Sequence, residues 1–307
     1  MLSIIAGIIL LYFGADSFVR GSSRLAARFG VPPLIIGLTI VAFGTSFPEL
    51  LVSLSAASKG ATDVVIGNVV GSNIFNIAVI LGITALIRPP GVHLDVIKRE
   101  IPIMIVVSLV GFGLVWYGHI SRLAGMALFL GLCFYVVFSV RTVKKEVGSE
   151  MSDVPEVAAM PFWLCGSLIG IGLTVLIAGS NLFVFGAVAT ARDFGVSEAV
   201  IGLTIVAGGT SLPELATSAV AAIKRESDVA IGNIVGSNIF NILCILGISS
   251  SVLPLEAGGI GLRDVGFMTG LAILLLPFAF SQRLISRFEG LVFLAIYGIY
   301  LSILWPK

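Results

Sequence analysis

The feature that most restricts the fold of this 307-residue chain is an internal repeat. Residues 37–83 match residues 202–248 at a constant offset of 165, with 33 identities in 47 aligned positions and no gap. Both copies are largely apolar, but chance similarity between two apolar segments does not produce so many identities. The chain therefore consists of two homologous halves, and a fold assigned to one half must also suit the other.

Long apolar runs place both halves in a membrane. The chain is 57% hydrophobic and only 11% charged, whereas an ordinary soluble domain is about 25% charged. The first run lacks the basic start of a signal peptide, so it is expected to be a membrane helix. Breaks at charged residues, Pro and Gly predict an all-α polytopic membrane protein with ten transmembrane helices, at 2–27, 34–58, 64–87, 101–118, 122–141, 161–190, 199–223, 229–253, 264–280 and 288–305.

The number of helices in each half determines how the halves are oriented. Five is odd, so the second half must enter the membrane from the opposite side, which gives an inverted-topology repeat. We predict a first repeat at 1–141 around the core motif 37–83, a cytoplasmic linker at 142–160, and a second repeat at 161–307 around the core motif 202–248. Connectors on the linker side hold thirteen of the 18 Lys and Arg residues. This bias predicts a multi-pass cell-membrane protein with both termini extracellular.

Two acidic residues, Glu49 and Glu214, stand inside apolar helices at equivalent positions. Each lies ten residues before a lysine, Lys59 or Lys224, and is therefore roughly 15 Å from one membrane surface. In a hydrocarbon core about 30 Å thick, both carboxylates reach the midplane from opposite directions and can meet. Such carboxylates are costly unless neutralised. A cation that enters and leaves is the expected counter-charge, and oxygen ligands select hard ions such as Ca2+ and Na+.

Each glutamate ends a short motif, GTSFPE at 44–49 and GTSLPE at 209–214. A proline inside a membrane helix removes a backbone donor and frees a carbonyl one turn back. Carbonyls and hydroxyls of Thr45 and Thr210 can then join the carboxylates, although a plain proline kink remains an alternative. Broken helices are tolerated at membrane depth where they line a hydrated cavity or are buried in protein.

A second motif, GSNIFN, also occurs in both halves. Its serine and asparagine are four residues apart and so present neutral oxygens from one helix face. They are Ser72 and Asn76 in the first half, and Ser237 and Asn241 in the second. The other asparagines nearby are expected mainly as interhelical hydrogen bonders: Asn68, Asn73, Asn233 and Asn238.

In the first helix, Asp16 can pair with Arg20 at the i,i+4 spacing. We expect Asp16 to have a structural role or to line the ion pathway.

With these paired motifs on opposed helices, the chain resembles the sodium/calcium exchangers of the calcium:cation antiporter superfamily, in the prokaryotic form with two alpha repeats. The resemblance implies a central cation site, across which the first and sixth helices slide to alternate access. It implies that the Ca2+ ligands are Thr45, Glu49, Thr210 and Glu214. For Na+ it adds Ala42, Ser46, Ser72, Asn76, Ala207, Ser211, Ser237 and Asn241.

The expected function is secondary active antiport of Na+ against Ca2+, with both ions as substrates. The alternative is an antiporter of H+ against Ca2+ or another divalent cation, but the proton branch carries GNAxE where this chain has GTSxPE. Some relatives, including potassium-dependent exchangers, have Asp at the position of Asn241, so K+ co-transport is not expected. We expect no cofactor and no nucleic-acid partner, and a monomer in the lipid bilayer.

Two other classes of protein fit the sequence less well. An intramembrane enzyme could use the two glutamates as an acid and a base, but the chain has no paired Asp motif of the aspartyl type. A passive cation channel is disfavoured because an inverted repeat supports alternation between two sides. The protein is therefore expected not to be an enzyme.

Overall fold

A computed structural model of the protein describes residues 1–147, 160–195, 205, 207–258 and 261–304. These residues are almost entirely helical, apart from two short strands, β1 (His119–Ile120) and β2 (Leu255–Glu256). The helices in chain order are α1 (Leu2–Phe29), α2 (Pro33–Thr45), α3 (Phe47–Ser58), α4 (Thr62–Ile87), α5 (Val96–Tyr117), α6 (Arg122–Val147), α7 (Phe162–Asp193), α8 (Ala207–Gly209), α9 (Leu212–Ile223), α10 (Ser227–Val252), α11 (Leu262–Gln282) and α12 (Arg287–Leu304).

Most of these helices can cross a membrane. In the described part of the chain, eight helices are long and apolar enough, and α2 with α3 makes a ninth span that is bent by 44°. The predicted helix at 199–223 begins largely outside the described residues and ends as α9. Residues 148–159 of the predicted linker also lie outside them. The protein is thus a helical, multi-pass membrane protein, as the apolar runs predict.

One predicted helix boundary is wrong. The sequence places the start of the fourth helix at residue 101, but α5 begins at Val96 and includes the charged turn 96–100, which the predicted bounds leave outside the helix. Glu100 is fully buried in this turn, where it accepts hydrogen bonds from Arg99 Nε and Tyr135 Oη, both at 2.8 Å. These partners compensate the buried carboxylate, so the charge does not end the helix.

α1 and α7 are counterparts in the two repeats, and they pack directly against each other. Gly7 of α1 lies against Phe183 of α7, whereas Gly21 lies against Leu168, so the two helices run antiparallel. A Cβ on Gly14 would stand only 2.7 Å from a backbone nitrogen of α7. Missing side chains therefore allow close backbone approach, and counterpart helices of opposite direction confirm the inverted repeat.

The loops repeat the same symmetry. His119 of β1 pairs with Glu256 of β2, and Gly91 forms an isolated bridge with Leu284. Adding the repeat offset of 165 to residue numbers 91 and 119 gives 256 and 284. The Gly91–Leu284 bridge and the His119–Glu256 pair are therefore counterparts of each other. The offset of the core motifs therefore extends through the loops between later helices.

The centre of the molecule is formed by α4 and α10, whose apolar stretches are the most deeply buried. Outer helices such as α1, α6 and α12 expose many large apolar side chains. This distribution suits a protein whose outer surface contacts lipid, and it leaves the repeat motifs in the interior.

Candidate cation site

The two GTSxPE motifs form breaks in the helices at the centre of the molecule. α3 and α9 start at Phe47 and Leu212, with Pro48 and Pro213 at their beginnings. Each glutamate therefore lies in the first turn of a half-helix, where the helix dipole favours a negative charge. Proline suits this position because the first-turn N–H groups have no partner within the helix.

The two repeats exchange hydrogen bonds through the serines of the motifs. Ser46 Oγ donates to Glu214 Oε1 at 3.0 Å, and Ser211 Oγ donates to Glu49 Oε1 at 2.9 Å. Both serines occupy N-cap positions, yet neither makes a side-chain cap to its own helix. Their hydroxyls instead orient the carboxylate of the opposite repeat, which brings the two glutamates into one site.

Both carboxylates are buried, with Glu49 1% and Glu214 2% exposed. Within the described residues, neither forms a salt bridge, and the Oε2 atom of each has no hydrogen-bond partner. Buried polar atoms in proteins are normally paired. The site therefore holds two carboxyl groups with an unused oxygen each, which is an arrangement that a cation would complete.

Neutral oxygens of the GSNIFN motifs are also buried, and one of them reaches the serine that bonds to Glu49. The hydroxyls of Ser211 and Ser72 lie 3.4 Å apart. In the part of the chain that the structure describes, Asn76 has no partner for either polar atom of its side chain, and Asn241 Oδ1 and Ser237 Oγ have none either. All five side chains are buried, and their oxygens are of the kind that Ca2+ and Na+ prefer.

The two predicted ligand asparagines also mark a change of helix type. A π-helical segment starts at Asn76 and runs to Leu81, and its counterpart starts at Asn241 and runs to Leu246. Such wide turns are frequent at functional sites. Sequence reasoning missed them, because the apolar residues after each asparagine fit an α-helix equally well.

Two further asparagines support the half-helices. Asn68 Nδ2 donates to the carbonyl of Glu49 at 3.0 Å and to Ser53 Oγ at 2.9 Å. Asn233 makes the two equivalent bonds in the second repeat, at 3.4 and 2.9 Å, and accepts a bond from Thr45 Oγ1 at 3.1 Å. Both therefore fix the start of a half-helix, which confirms the prediction that they form interhelical hydrogen bonds.

The last pair of asparagines is used unequally. Asn73 Nδ2 donates to the carbonyl of Asn238 at 3.2 Å, and Asn73 Oδ1 accepts from Asn241 at 2.9 Å. Asn238 instead donates to its own helix, at Ile234 O, 2.7 Å away. Asn73 thus joins the two repeats and also orients Asn241. The sequence predicts the same role for Asn73 and for its counterpart Asn238, so it does not reveal this difference.

The remaining predicted ligands are Ala42, Ala207 and Thr210. Ala42 is buried, and its carbonyl accepts bonds from Ser46 N at 3.0 Å and Thr45 Oγ1 at 3.4 Å. Ala207 begins α8, and its side chain lies outside the described part of the structure. Thr210 follows α8 directly, in the break before Ser211.

Comparisons with known proteins identify relatives of this chain. A family model described as "Sodium/calcium exchanger protein" matches residues 1–141 and 166–305. CaxA of Alkalimonas amylolytica is 42% identical over 302 residues, which cover 95% of this chain and 94% of CaxA. The sodium/calcium exchanger MaX1 of Methanosarcina acetivorans is 32% identical, with 99% and 98% of the two chains covered.

A solved structure is similar over the whole length. The sodium-calcium exchanger NCX_Mj, soaked with zero Na+ and Ca2+, has a TM-score of 0.84 and 34% sequence identity to this chain. The match covers 99% of this chain and 98% of NCX_Mj. With the family model spanning both repeats, the conclusion is that this chain belongs to the sodium/calcium exchanger family.

Proposed function

We propose that the protein exchanges Na+ for Ca2+ across the membrane at the site built on Glu49 and Glu214. The observation that carries this proposal is the reciprocal pair of bonds from Ser46 and Ser211, which leaves one free oxygen on each buried carboxylate. Two carboxylates balance the charge of one Ca2+ or two Na+. The relatives MaX1 and NCX_Mj are sodium/calcium exchangers, which supports the same two ions here.

The proposed ligands fall into two sets. Ca2+ is bound by the carboxylates with oxygens of the two threonines: Thr45, Glu49, Thr210 and Glu214. Na+ is bound by the flanking carbonyl, hydroxyl and amide oxygens together with these carboxylates: Ala42, Ser46, Ser72, Asn76, Ala207, Ser211, Ser237 and Asn241. The sets share the glutamates, so the two cations compete, and binding of one releases the other.

Exchange requires that the empty site does not change sides. An unneutralised pair of buried carboxylates is unfavourable in any conformation that seals them from water. Reorientation therefore needs a bound cation, which couples movement of one ion to return of the other. This is the difference between an exchanger and a channel.

The α1–α7 pair is the proposed moving unit. Its helices are joined by close backbone packing. The pair also contacts α2 and α8, which precede the two breaks, since Phe18 lies against Gly44 and Ser180 Oγ donates to Gly209 O at 2.7 Å. Sliding of the pair across these contacts would open the site to one membrane face at a time.

We also propose that the chain is divided into two repeats and has a defined orientation in the membrane. The repeats are residues 1–141 and 161–307, the linker at 142–160 is cytoplasmic, and both termini are extracellular. The protein acts as a monomer. Single cysteines introduced near residues 1 and 150 would test the orientation through their labelling by a membrane-impermeant reagent.

The function is tested by 45Ca2+ uptake into proteoliposomes loaded with Na+. We expect uptake that depends on the Na+ gradient, saturates with Ca2+, and falls to background when K+ replaces internal Na+. Uptake driven equally well by a pH gradient without Na+ would instead establish an H+/Ca2+ antiporter. Flux without counter-movement of any cation would contradict exchange altogether.

A further inference from the structure

A groove with a volume of about 390 Å³ lies between α5 and α11, at one end of this helix pair. α5 contributes Ile97, Lys98 and Pro102, and α11 contributes Leu276, Pro277 and Phe280. Phe280 is 65% exposed, which places the groove on the outer surface of the helices. Except for Lys98, the lining is apolar.

The inverted repeat provides a comparison, because α5 and α11 are counterparts and the pair has an equivalent opposite end. At that end Phe267 replaces Pro102, and Phe112 replaces Pro277. The Phe112 ring reaches to 3.7 Å from the position of a Cβ on Gly266. The Phe112 ring thus lies against α11 where the groove end has Pro277, and the Phe267 ring stacks on Tyr300 of α12 with the ring centroids 4.6 Å apart. The two ends of the pair therefore differ in their side chains.

The same end carries a basic residue in an unfavourable backbone conformation. Arg283 follows Phe280 by three residues and has a left-handed φ of 54°, while its counterpart Gly118 has a φ of 83°. A side chain in this region costs roughly 1–2 kcal/mol, a cost that glycine avoids. The hydrogen bond from Val92 N to Arg283 O, 2.8 Å long, needs only the backbone. This hydrogen bond would therefore form equally well with glycine at position 283.

Charge distinguishes the two ends as well. The segments 88–100 and 283–289, beside the groove, hold five Lys and Arg against three acidic residues. Their counterparts, 253–265 and 118–124, hold two basic and two acidic residues. The groove therefore opens beside a net positive surface, and the opposite end does not.

We propose that the groove binds one phospholipid with an anionic headgroup. Its acyl chain lies against the apolar walls, and its phosphate and headgroup face Lys98 and Arg283. Basic residues near the membrane surface attract anionic lipids by about fivefold each in affinity, whereas a neutral lipid gains only the apolar contact. This site is separate from the cation site, and its occupancy does not depend on transport.

Native mass spectrometry of the purified full chain tests the proposal. The protein is first equilibrated with an equal mixture of phosphatidylglycerol and phosphatidylcholine of the same acyl composition. We expect one retained phosphatidylglycerol, and a preference over phosphatidylcholine that falls roughly 20-fold or more in the double variant Lys98→Gln, Arg283→Gly. Glycine is what the counterpart position uses, so this backbone tolerates it.

Two further variants separate the groove from general surface charge. Arg263→Gln changes the counterpart of Lys98 at the opposite end and should leave the retained lipid unchanged. Pro277→Phe fills the groove while keeping both charges, and should abolish retention. Equal retention of both lipids by the unmodified protein would overturn the proposal. So would an unchanged preference in the Lys98, Arg283 double variant, even if Pro277→Phe fails to fold.

Discussion

The two repeats agree closely at the centre of the molecule and differ at its periphery. In the cation site, Ser46 and Ser211 bond to the carboxylate of the opposite repeat in the same way. At the turns after the half-helices, Gly60 has a left-handed φ of 73°, but its counterpart is Arg225, with a φ of 67°. The proposed alternating access would expose the site to both membrane faces in turn and so favour equal residues in the two repeats, whereas each loop meets only one face and can diverge.

Helix α1 shows the same divergence. Asp16 forms the predicted pair with Arg20, at 2.9 Å, and also a salt bridge with Lys224 at the end of α9. The counterpart of Asp16 is the neutral Asn181, and the counterpart of Lys224 is the exposed Lys59. An ionic link between an outer helix and a half-helix is therefore built into one side of the repeat.

The largest expected effect tests whether the two repeats contribute equally to the central site. Glu49→Gln and Glu214→Gln should each reduce Na+-driven 45Ca2+ uptake by roughly 100-fold or more, because ligand charge sets the affinity for Ca2+. Thermal unfolding serves as the control, since a buried neutral amide costs less than a buried carboxylate and both variants should remain folded. A large loss for one variant with near-normal uptake for the other would break the equality.

A second prediction concerns the contact of α1 with α7. In Gly179→Ala the new Cβ would lie 2.8 Å from the backbone nitrogen of Leu11, and such overpacking destabilises by about 1–3 kcal/mol. Gly170→Ala is the matched control on the same helix, because nothing lies within 4 Å of its Cβ position among the described residues. Thermal unfolding should separate the two, and equal unfolding temperatures would contradict the close packing.

A third prediction compares Asn73, which bonds to the other repeat, with Asn238, which bonds within its own helix. Asn73→Ala removes two bonds between the repeats and should destabilise by about 1–2 kcal/mol. Asn238→Ala removes a side-chain bond within one helix and should cost less than about 1 kcal/mol. Unfolding in a fixed detergent measures both, and the reverse order would show that the two asparagines exchange roles.

The smallest expected effect tests the peripheral salt bridge. Lys224→Gln should destabilise by about 1 kcal/mol or less, because the pair is only partly screened from water. The control Lys59→Gln, at the counterpart position, should change unfolding by less than this. If both substitutions had the same effect, the ionic link of α1 to α9 would contribute nothing.

The membrane helices and the inverted repeat could be predicted from the sequence because both depend on patterns within it. Apolar runs set the spans, and the constant offset fixed the relation between halves. The two glutamates could be selected because so few charges lie in apolar segments. Their use as cation ligands remains a prediction.

Features that depend on contact between the repeats could not be predicted. No local pattern shows that Ser46 leaves its own helix uncapped and bonds to Glu214. The π-helical turn at Asn76 also has no signature, because a wide turn and an α-turn bury the same apolar residues. The start of α5 differs from the prediction for a related reason, since one of the two partners of Glu100, Tyr135, is distant in sequence.

The length of the α1–α7 pair links the protein to its bilayer. α1 has 28 residues and α7 has 32, so the helices are about 42 and 48 Å long, against a hydrocarbon core of about 30 Å. Glycines recur every seven residues along both, at Gly7, Gly14 and Gly21 and at Gly172, Gly179 and Gly186. Close packing along the whole pair holds the two helices together, and helices longer than the hydrocarbon core tilt, locally thicken the bilayer or extend their polar ends into the headgroup region. Bilayer thickness would thus act as a mechanical variable for the proposed sliding of this pair.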